Sequence, residues 1–222
     1  MVETVREKAV SDPSLCHDDL TKDNPMKSRL ALSFLLLASV LVACLPSLKP
    51  FYTEQDLVTD LRIVGKWKTV VADNNADVWD FSSGKGKAYT LIVTERDGKP
   101  GKFTTHFFKL QGLLFLDLMP SETELPDKLA GLVIPGHLLF RVTSVAPELK
   151  LVGCDVGWLD KHLTANPGAL SHYKTEEGMT VLTAETKDLQ AFVLSHLKPG
   201  ELFLDPDAAT RLTNSAPIPA AL

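Results

Sequence analysis

Apolar and polar residues alternate along the middle of the chain with the two-residue period of half-buried β-strands. The segment 88–95 is the clearest case, with Tyr89, Leu91 and Val93 on one face and Thr90, Ile92 and Thr94 on the other. The segment 102–110 alternates in the same way, and residues 96–99 between them contain an Asp-Gly pair that is typical of a tight turn. These two segments are therefore predicted to form a β-hairpin.

Strand patterns recur on both sides of this hairpin. They lie at residues 63–71, 78–81, 113–119, 138–145, 149–156 and, more briefly, 179–182. The segment 113–119 is almost wholly apolar, as expected of a strand that is buried on both faces. Short successive strands joined by tight turns predict an antiparallel meander that forms a barrel or a strongly curved sheet.

Helical patterns are fewer and lie mainly in the C-terminal third. Residues 184–197 carry an apolar stripe at helical spacing, with Thr183 as the candidate N-cap. Residues 157–163 are predicted as a short helix capped by Asp155, and Thr53 is the candidate N-cap of a turn within 52–61. The predicted fold class is therefore mainly β, with a C-terminal α-helix packed against the sheet.

An uncharged apolar run of thirteen residues, 30–42, lies near the N-terminus. A membrane-spanning helix needs about 20 such residues, so this run is too short to be one. Lys27 and Arg29 precede it, and a basic flank before a short apolar core is the pattern of a secretory signal peptide, which we place at 26–43. The run ends in Ala43-Cys44, which is similar to the lipobox of bacterial lipoproteins. This resemblance implies cleavage after Ala43 and diacylglycerol on Cys44; an uncleaved anchor helix and an ordinary buried helix are the alternatives.

These features predict the organisation of the whole chain. Residues 1–25 are polar and aperiodic, so we expect Met26 to be the true start and 1–25 to be a mis-called or disordered extension. Residues 44–55 are predicted as a tether, 56–212 as a single β-rich domain with the C-terminal helix, and 213–222 as a flexible tail. Lipid on Cys44 implies attachment to a membrane of the bacterial cell envelope, with the domain facing the periplasm or the exterior.

Composition narrows the classes of function. The 222 residues are 45% hydrophobic, which is enough for one domain with a real core. A net charge of -5 argues against the basic face that a nucleic-acid partner requires. With Cys16 outside the mature chain and Cys44 acylated, Cys154 has no cysteine to pair with. The six histidines lack metal-ligand spacing and no serine lies in G-x-S-x-G, so we expect no metal, no cofactor and no recognisable catalytic residue.

Two further resemblances concern the domain itself. Gly65-Lys66-Trp67 resembles the G-x-W at the start of the first lipocalin strand, which implies a barrel with Trp67 across its closed end. Arg141 is the candidate for the lipocalin arginine that covers this tryptophan. The chain also resembles a family of uncharacterised bacterial lipoproteins, which implies an envelope location and no known activity. The motifs of that resemblance, besides the G-x-W strand, are Trp79-Asp80-Phe81, Tyr89-Thr90-Leu91, an Asp-Gly-Lys turn, residues 114–118, Gly157-Trp158-Leu159 and Leu182-Thr183-Ala184.

The predicted function is a non-catalytic binding module for a small apolar ligand or an envelope partner. Its candidate ligand-lining residues are Trp67, Tyr89, Phe103, His106, Phe107 and Phe115. Ordinary core packing is the alternative for these aromatics, since a barrel of about eight strands is either filled by side chains or holds one small ligand. A second hypothesis is an envelope hydrolase. Convergence in one cleft of two or more of the following would favour it: His106, Asp117, His137, Asp155 and His162. A structural lipoprotein that docks through an exposed apolar patch is the third.

Overall fold

The computed structural model of the protein describes residues 46–71, 76–95, 98, 100–121 and 134–215. The predicted signal peptide, the cleavage site Ala43-Cys44 and most of the 96–99 turn lie outside the described residues.

The described residues form eleven strands, eight of which close into an antiparallel barrel. The strands are β1 (Leu57–Val58), β2 (Gly65–Thr69), β3 (Val78–Ser83), β4 (Tyr89–Thr94), β5 (Pro100–Leu110), β6 (Leu113–Pro120), β7 (Leu138–Ser144), β8 (Glu148–Gly153), β9 (His172–Lys174), β10 (Thr180–Leu182) and β11 (Thr210–Asn214). The barrel order is β5-β4-β3-β2-β11-β8-β7-β6, and β6 pairs back with β5 to close it. β1 is an outer strand on β5, and β9 and β10 form a separate hairpin. The predicted antiparallel barrel is confirmed.

Successive side chains of a strand point alternately to the inside and the outside of the barrel, and apolar side chains on both faces form two cores, one on each side of the barrel wall. The inner core takes buried residues from all eight barrel strands: Trp67, Trp79, Phe81, Tyr89, Leu91, Phe107, Leu116, Leu118, Phe140, Val142, Leu149, Leu151 and Leu212, joined by Ile63. The outer core lies between the wall and the helices and includes Phe108, Phe115 and Leu139. Because both faces of β6 are covered, residues 115–118 are all buried, as the apolar run predicted.

Two α-helices among the described residues cover the outer core. α1 (Val156–Ala165) begins at Asp155, whose Oδ1 accepts a hydrogen bond of 2.8 Å from the amide of Trp158, so the predicted cap is confirmed. α2 (Thr186–Ser195) buries Leu189, Phe192 and Val193 on one face. Thr183 is not its N-cap, because the helix begins after Glu185 and has no capping side-chain hydrogen bond.

The structure differs from the sequence prediction at both ends of the domain. Residues 52–61 do not form a helical segment capped by Thr53; instead the Thr53 amide and hydroxyl both donate to Oδ2 of Asp56, at 2.7 and 2.6 Å, and a tight turn leads into β1. At the other end β11 runs through Asn214, two residues into the segment predicted as a tail. It does so because β11 pairs with both β2 and β8 and completes the barrel.

Candidate functional site: a buried polar cluster beneath the N-terminal strap

Residues 46–58, called the strap below, lie across the outside of the barrel. The amide of Ser47 donates to the carbonyl of His137 at 2.9 Å, and the amide of His137 donates back at 2.8 Å. On the other side, the amide of Leu182 donates to the carbonyl of Pro46 and the amide of Leu48 donates to the carbonyl of Leu182, both at 2.9 Å. The start of the strap is therefore bridged on one side to His137, the residue before β7, and on the other side to Leu182 at the end of β10.

The rest of the strap is held by α2 and β5. Thr186 Oγ1 donates to the carbonyl of Pro50 at 2.8 Å, and Gln190 Nε2 donates to the carbonyl of Phe51 at 3.0 Å. The side chain of Phe51 is buried in the outer core, and β1 pairs with β5. The described part of the predicted tether is thus packed against the domain, because its apolar side chains fill space between wall and helices.

Two polar side chains of the wall lie under the strap. His106 on β5 and Asp117 on β6 are direct register partners, so their side chains leave the same face of the sheet. Their neighbours Phe107 and Leu116 belong to the inner core, which places His106 and Asp117 on the outer face. Asp117 is fully buried there.

The carboxylate of Asp117 is hydrogen-bonded to the strap and to His137, the residue immediately before β7. Oδ1 lies 2.8 Å from Nδ1 of His137, and Oδ2 accepts from the amide of Phe51 at 3.3 Å. Because a carboxylate only accepts, His137 carries a proton on Nδ1. The His137 side chain is 12% exposed, so this pair is largely removed from water. Burial of such a pair is tolerated only when its hydrogen bonds are made, as they are here.

A second pair, Tyr52 and His106, lies beside Asp117. The Tyr52 hydroxyl and His106 Nδ1 are joined by a hydrogen bond of 2.9 Å, and the two ring centroids are 4.6 Å apart. Burial, with a contribution from the charge of Asp117, raises the pKa of Tyr52 to about 12. Burial also lowers the pKa of His106, although Asp117 opposes that shift. Both shifts favour a neutral phenol bonded to a neutral imidazole.

An imidazole held by a carboxylate through Nδ1 is suited to general acid–base chemistry through Nε2. Within the described part of the chain, however, His106 is hydrogen-bonded to Tyr52 and His137 to Asp117, and neither partner is a serine or threonine nucleophile. Nor does any group of three His, Cys, Asp or Glu side chains in the described ranges suit a metal ion. The side chains of Tyr52, His106, Asp117 and His137 hold the strap against the wall. The contacts to the strap are the Tyr52 hydroxyl on His106 and the Phe51 amide on Asp117.

The candidate ligand-lining residues lie in three different places. Trp67, Tyr89 and Phe107 are in the inner core, where Phe107 contacts Tyr89 and Phe81 at ring-centroid distances of 5.5 and 6.2 Å. Trp67 Nε1 donates to the carbonyl of Ile63 at 2.7 Å. Phe103 is half-buried against the same core, whereas Phe115 and His106 lie on the outer face. The inward-facing candidates thus pack against each other and against other core side chains.

The remaining candidates from the sequence are dispersed. Arg141 alternates with the inward-facing Phe140 and Val142, so its side chain leaves the outer face and does not cover Trp67. That detail of the lipocalin resemblance is wrong. His162 lies on α1, stacked on Trp158 at 4.7 Å between ring centroids.

Of the five residues named for the hydrolase hypothesis, three converge: His106, Asp117 and His137. They meet in a buried cluster beneath the strap and not in an open cleft. The other two belong to α1 and its cap.

Two open grooves are lined by described residues. The first, of about 590 Å³, lies between residues 168–171 and α2 and includes Asp188, Ser195 and His196. The second, of about 550 Å³, lies at the end of the barrel near the β5–β6 and β7–β8 turns, where it includes Arg62 and Lys109 and reaches the inner core at Leu114 and Val142.

Sequence reasoning had one usable signal for the buried cluster. Asp117 is a lone acid in an apolar strand, and a buried charge requires partners. Tyr52 gave no signal of its own, because its contact with His106 joins residues 54 apart in the chain.

Comparison with known proteins does not add a function. The chain matches no described protein family, and no characterised protein or solved structure is significantly similar to it. No helix in the described ranges is long and apolar enough to cross a bilayer.

Proposed function

We propose that this protein is a lipoprotein of the bacterial cell envelope, anchored by lipid on Cys44, whose barrel domain is a binding module for an envelope partner. The signal-peptide pattern and the Ala43-Cys44 box support the anchor. The strap supports the proposal that a folded domain directly follows the anchor. Its residues Pro46 and Ser47 already make hydrogen bonds to other elements, and they lie only a few residues after the predicted cleavage site.

The filled inner core favours a partner over a small apolar ligand inside the barrel. Large aromatic side chains from neighbouring strands occupy the interior and contact one another, as in barrels whose interior is a packed core. The candidate binding surfaces are then the two open grooves, one beside α2 and one at the end of the barrel. A partner in these grooves would contact surface residues of α2 or of the turns beside β7.

The convergence of His106, Asp117 and His137 favours a second candidate, an envelope hydrolase. Against it stand the burial of Asp117 and the strap that covers the imidazoles. A substrate would have to displace Phe51 and Tyr52, which are themselves held by α2 and β5. We therefore favour the binding module, with the cluster as a fastening for the strap.

The test of the anchor is the Cys44→Ala variant, expressed beside the unaltered protein in a bacterial host and separated between detergent and aqueous phases. The unaltered protein is expected in the detergent phase with incorporated lipid label, and the variant in the aqueous phase without it. Equal partitioning with no label on either would overturn the lipoprotein proposal. Cys154→Ala is the matched control, since Cys154 is buried and should leave partitioning unchanged.

The test of the binding module is cross-linking in intact cells from either groove, followed by identification of the captured protein. A discrete partner captured from one groove and not from the opposite side of the domain is the expected result. Hydrolytic turnover that disappears in His137→Gln while the fold persists would instead favour the hydrolase.

A further inference from the structure

The face of the domain next to the start of the strap is unusually apolar for an exposed surface. Four large apolar side chains are exposed there by more than a third of their area: Leu48 at 40%, Ile134 at 71%, Tyr173 at 59% and Met179 at 54%. Exposed apolar residues scattered singly need no explanation, but a group at one location marks a contact surface.

Backbone pairing places Leu48 and Tyr173 on the same face. Ser47 forms a parallel bridge with Leu182, and both side chains are buried. Bridged residues point to the same side and their chain neighbours point to the opposite side, so Leu48 and Val181 face outward together. Tyr173 is the register partner of Val181 and therefore shares this face.

Ile134 and Met179 lie close to the same point by connectivity. A Cβ placed on Gly136 would be 3.1 Å from Cβ of Pro46, and Ile134 is two residues before Gly136. Met179 immediately precedes β10, and its carbonyl accepts from the amide of Thr175 across the β9–β10 turn at 2.9 Å. All four residues thus lie on segments that are paired with, or lead directly into, the first residues of the strap.

The position of the anchor identifies what covers this face. Only Leu45 stands between Cys44 and Pro46 in the sequence, so the proposed lipid is attached two residues before the start of the strap. Pro46 is held against the domain, because its carbonyl accepts a hydrogen bond from the amide of Leu182 and the next residue, Ser47, is hydrogen-bonded to His137. A diacylglycerol on Cys44 would therefore hold this face at the bilayer surface.

We propose that the face formed by Leu48, Ile134, Tyr173 and Met179 rests on the lipid bilayer and fixes the orientation of the barrel above it. The proposal depends on lipid at Cys44, as proposed above. Tyrosine suits such a position because its ring is apolar and its hydroxyl reaches water. Charges near this face are mixed, with Lys49 and Lys174 beside it and Glu176 and Glu177 in the hairpin turn, so the contact is mainly apolar.

The test uses the full lipidated protein in phosphatidylcholine vesicles that contain a lipid with a nitroxide in its headgroup region. A fluorophore is attached in turn to Leu48→Cys, Tyr173→Cys and Thr143→Cys. Thr143 is an exposed matched control on β7, five residues from Leu138 and so about 17 Å further along the wall. Labelling of the protein without an added cysteine is the blank, because Cys154 is buried and Cys44 is acylated.

Labels at 48 and 173 are expected to be quenched at least about twofold more than the label at 143, with little change when anionic lipid or salt is added. Equal, weak quenching of all three labels on protein that still sediments with the vesicles would overturn this proposal and leave the anchor intact. Failure to sediment would overturn both. Protection of labels 48 and 173 from aqueous iodide without quenching by the lipid nitroxide would mean that a protein covers the face, and would overturn the membrane contact.

Adding Leu48→Glu and Ile134→Glu to the Tyr173→Cys protein provides a second measurement. Loss of most quenching at position 173, with sedimentation retained, is expected if these side chains hold the face on the bilayer. Unchanged quenching would contradict their role.

Discussion

Replacement of Asp117 by Leu is expected to cost several kcal/mol of folding free energy, most of it through the strap. The substitution leaves two largely buried donors without their acceptor, Nδ1 of His137 and the amide of Phe51. Each unsatisfied buried donor costs about 1–3 kcal/mol, so the sum is about 2–6 kcal/mol. Asp117→Asn keeps one carbonyl acceptor and should cost about half as much.

The assay is urea denaturation followed by tryptophan fluorescence, with amide hydrogen exchange as the local readout. Amides of Ser47, Leu48 and Phe51 should lose protection before those of the barrel strands, because the strap is held partly through Asp117. Asp160→Asn is the matched control. Its carboxylate pairs with Lys174 at the surface, where such a contact contributes less than about 1 kcal/mol after solvent screening. Asn at this position keeps a carbonyl acceptor for the hydroxyl of the buried Thr180.

A double-mutant cycle separates the pair from its surroundings. The double variant Asp117→Leu with His137→Leu removes both partners of the buried hydrogen bond, so it is expected to be less destabilised than the two single changes added together. An Asp117→Leu protein that unfolds within about 1 kcal/mol of the unaltered protein, with full protection of the strap amides, would refute this account of the cluster.

Three further predictions concern titration and capping. The pKa of His106 is lowered in the folded protein, so as pH falls below about 6.5 the unfolded chain binds a proton at this residue before the folded protein does. Stability that is present above about pH 6.5 is therefore lost on acidification. His106→Gln should reduce this loss, measured as the urea midpoint at a series of pH values. The raised pKa of Tyr52, about 12, has the opposite sense, so stability present below about pH 10 is lost as pH rises toward 12. Tyr52→Phe should reduce that alkaline loss, and the part due to the raised pKa of Tyr89 should remain. Asp155→Ala should lower the free energy of unfolding by about 1 kcal/mol because Asp155 caps α1. Glu185→Ala should lower it by only about a few tenths of a kcal/mol because Glu185 makes no capping hydrogen bond to α2. Equal effects of the two changes in thermal denaturation would contradict this difference.

The local features of the fold could be predicted from the sequence, and its closure could not. The alternation in 88–95 and 102–110 is a property of neighbouring residues, and it correctly predicted β4 and β5. β11 contains a single apolar residue, Leu212, between polar ones, so it gave little signal by itself. Its strand conformation depends on pairing with β2 and β8, which are distant in the chain.

For the candidate site too, individual residues could be predicted from the sequence, and the pairing that brings them together could not. Asp117, His106 and His137 could each be named from the sequence, but the register of β5 with β6 that brings them together could not be read from it. Residues 44–55 were predicted as a tether because their prolines and lack of periodicity favour extended chain. The described part of this segment packs against the domain instead, because Phe51 is buried in the outer core and Ser47 bonds to His137, contacts that span more than 60 residues.

Intact mass spectrometry of the purified protein measures directly whether Cys44 is a lipidated N-terminus. We expect a chain that begins at Cys44 and carries the added mass of a diacylglycerol, usually with a further acyl chain on the new amino group. The Cys44→Ala variant should lack that mass. A purified chain that begins at Met1 or Met26, or one that retains an unmodified Cys44, would overturn the proposed anchor.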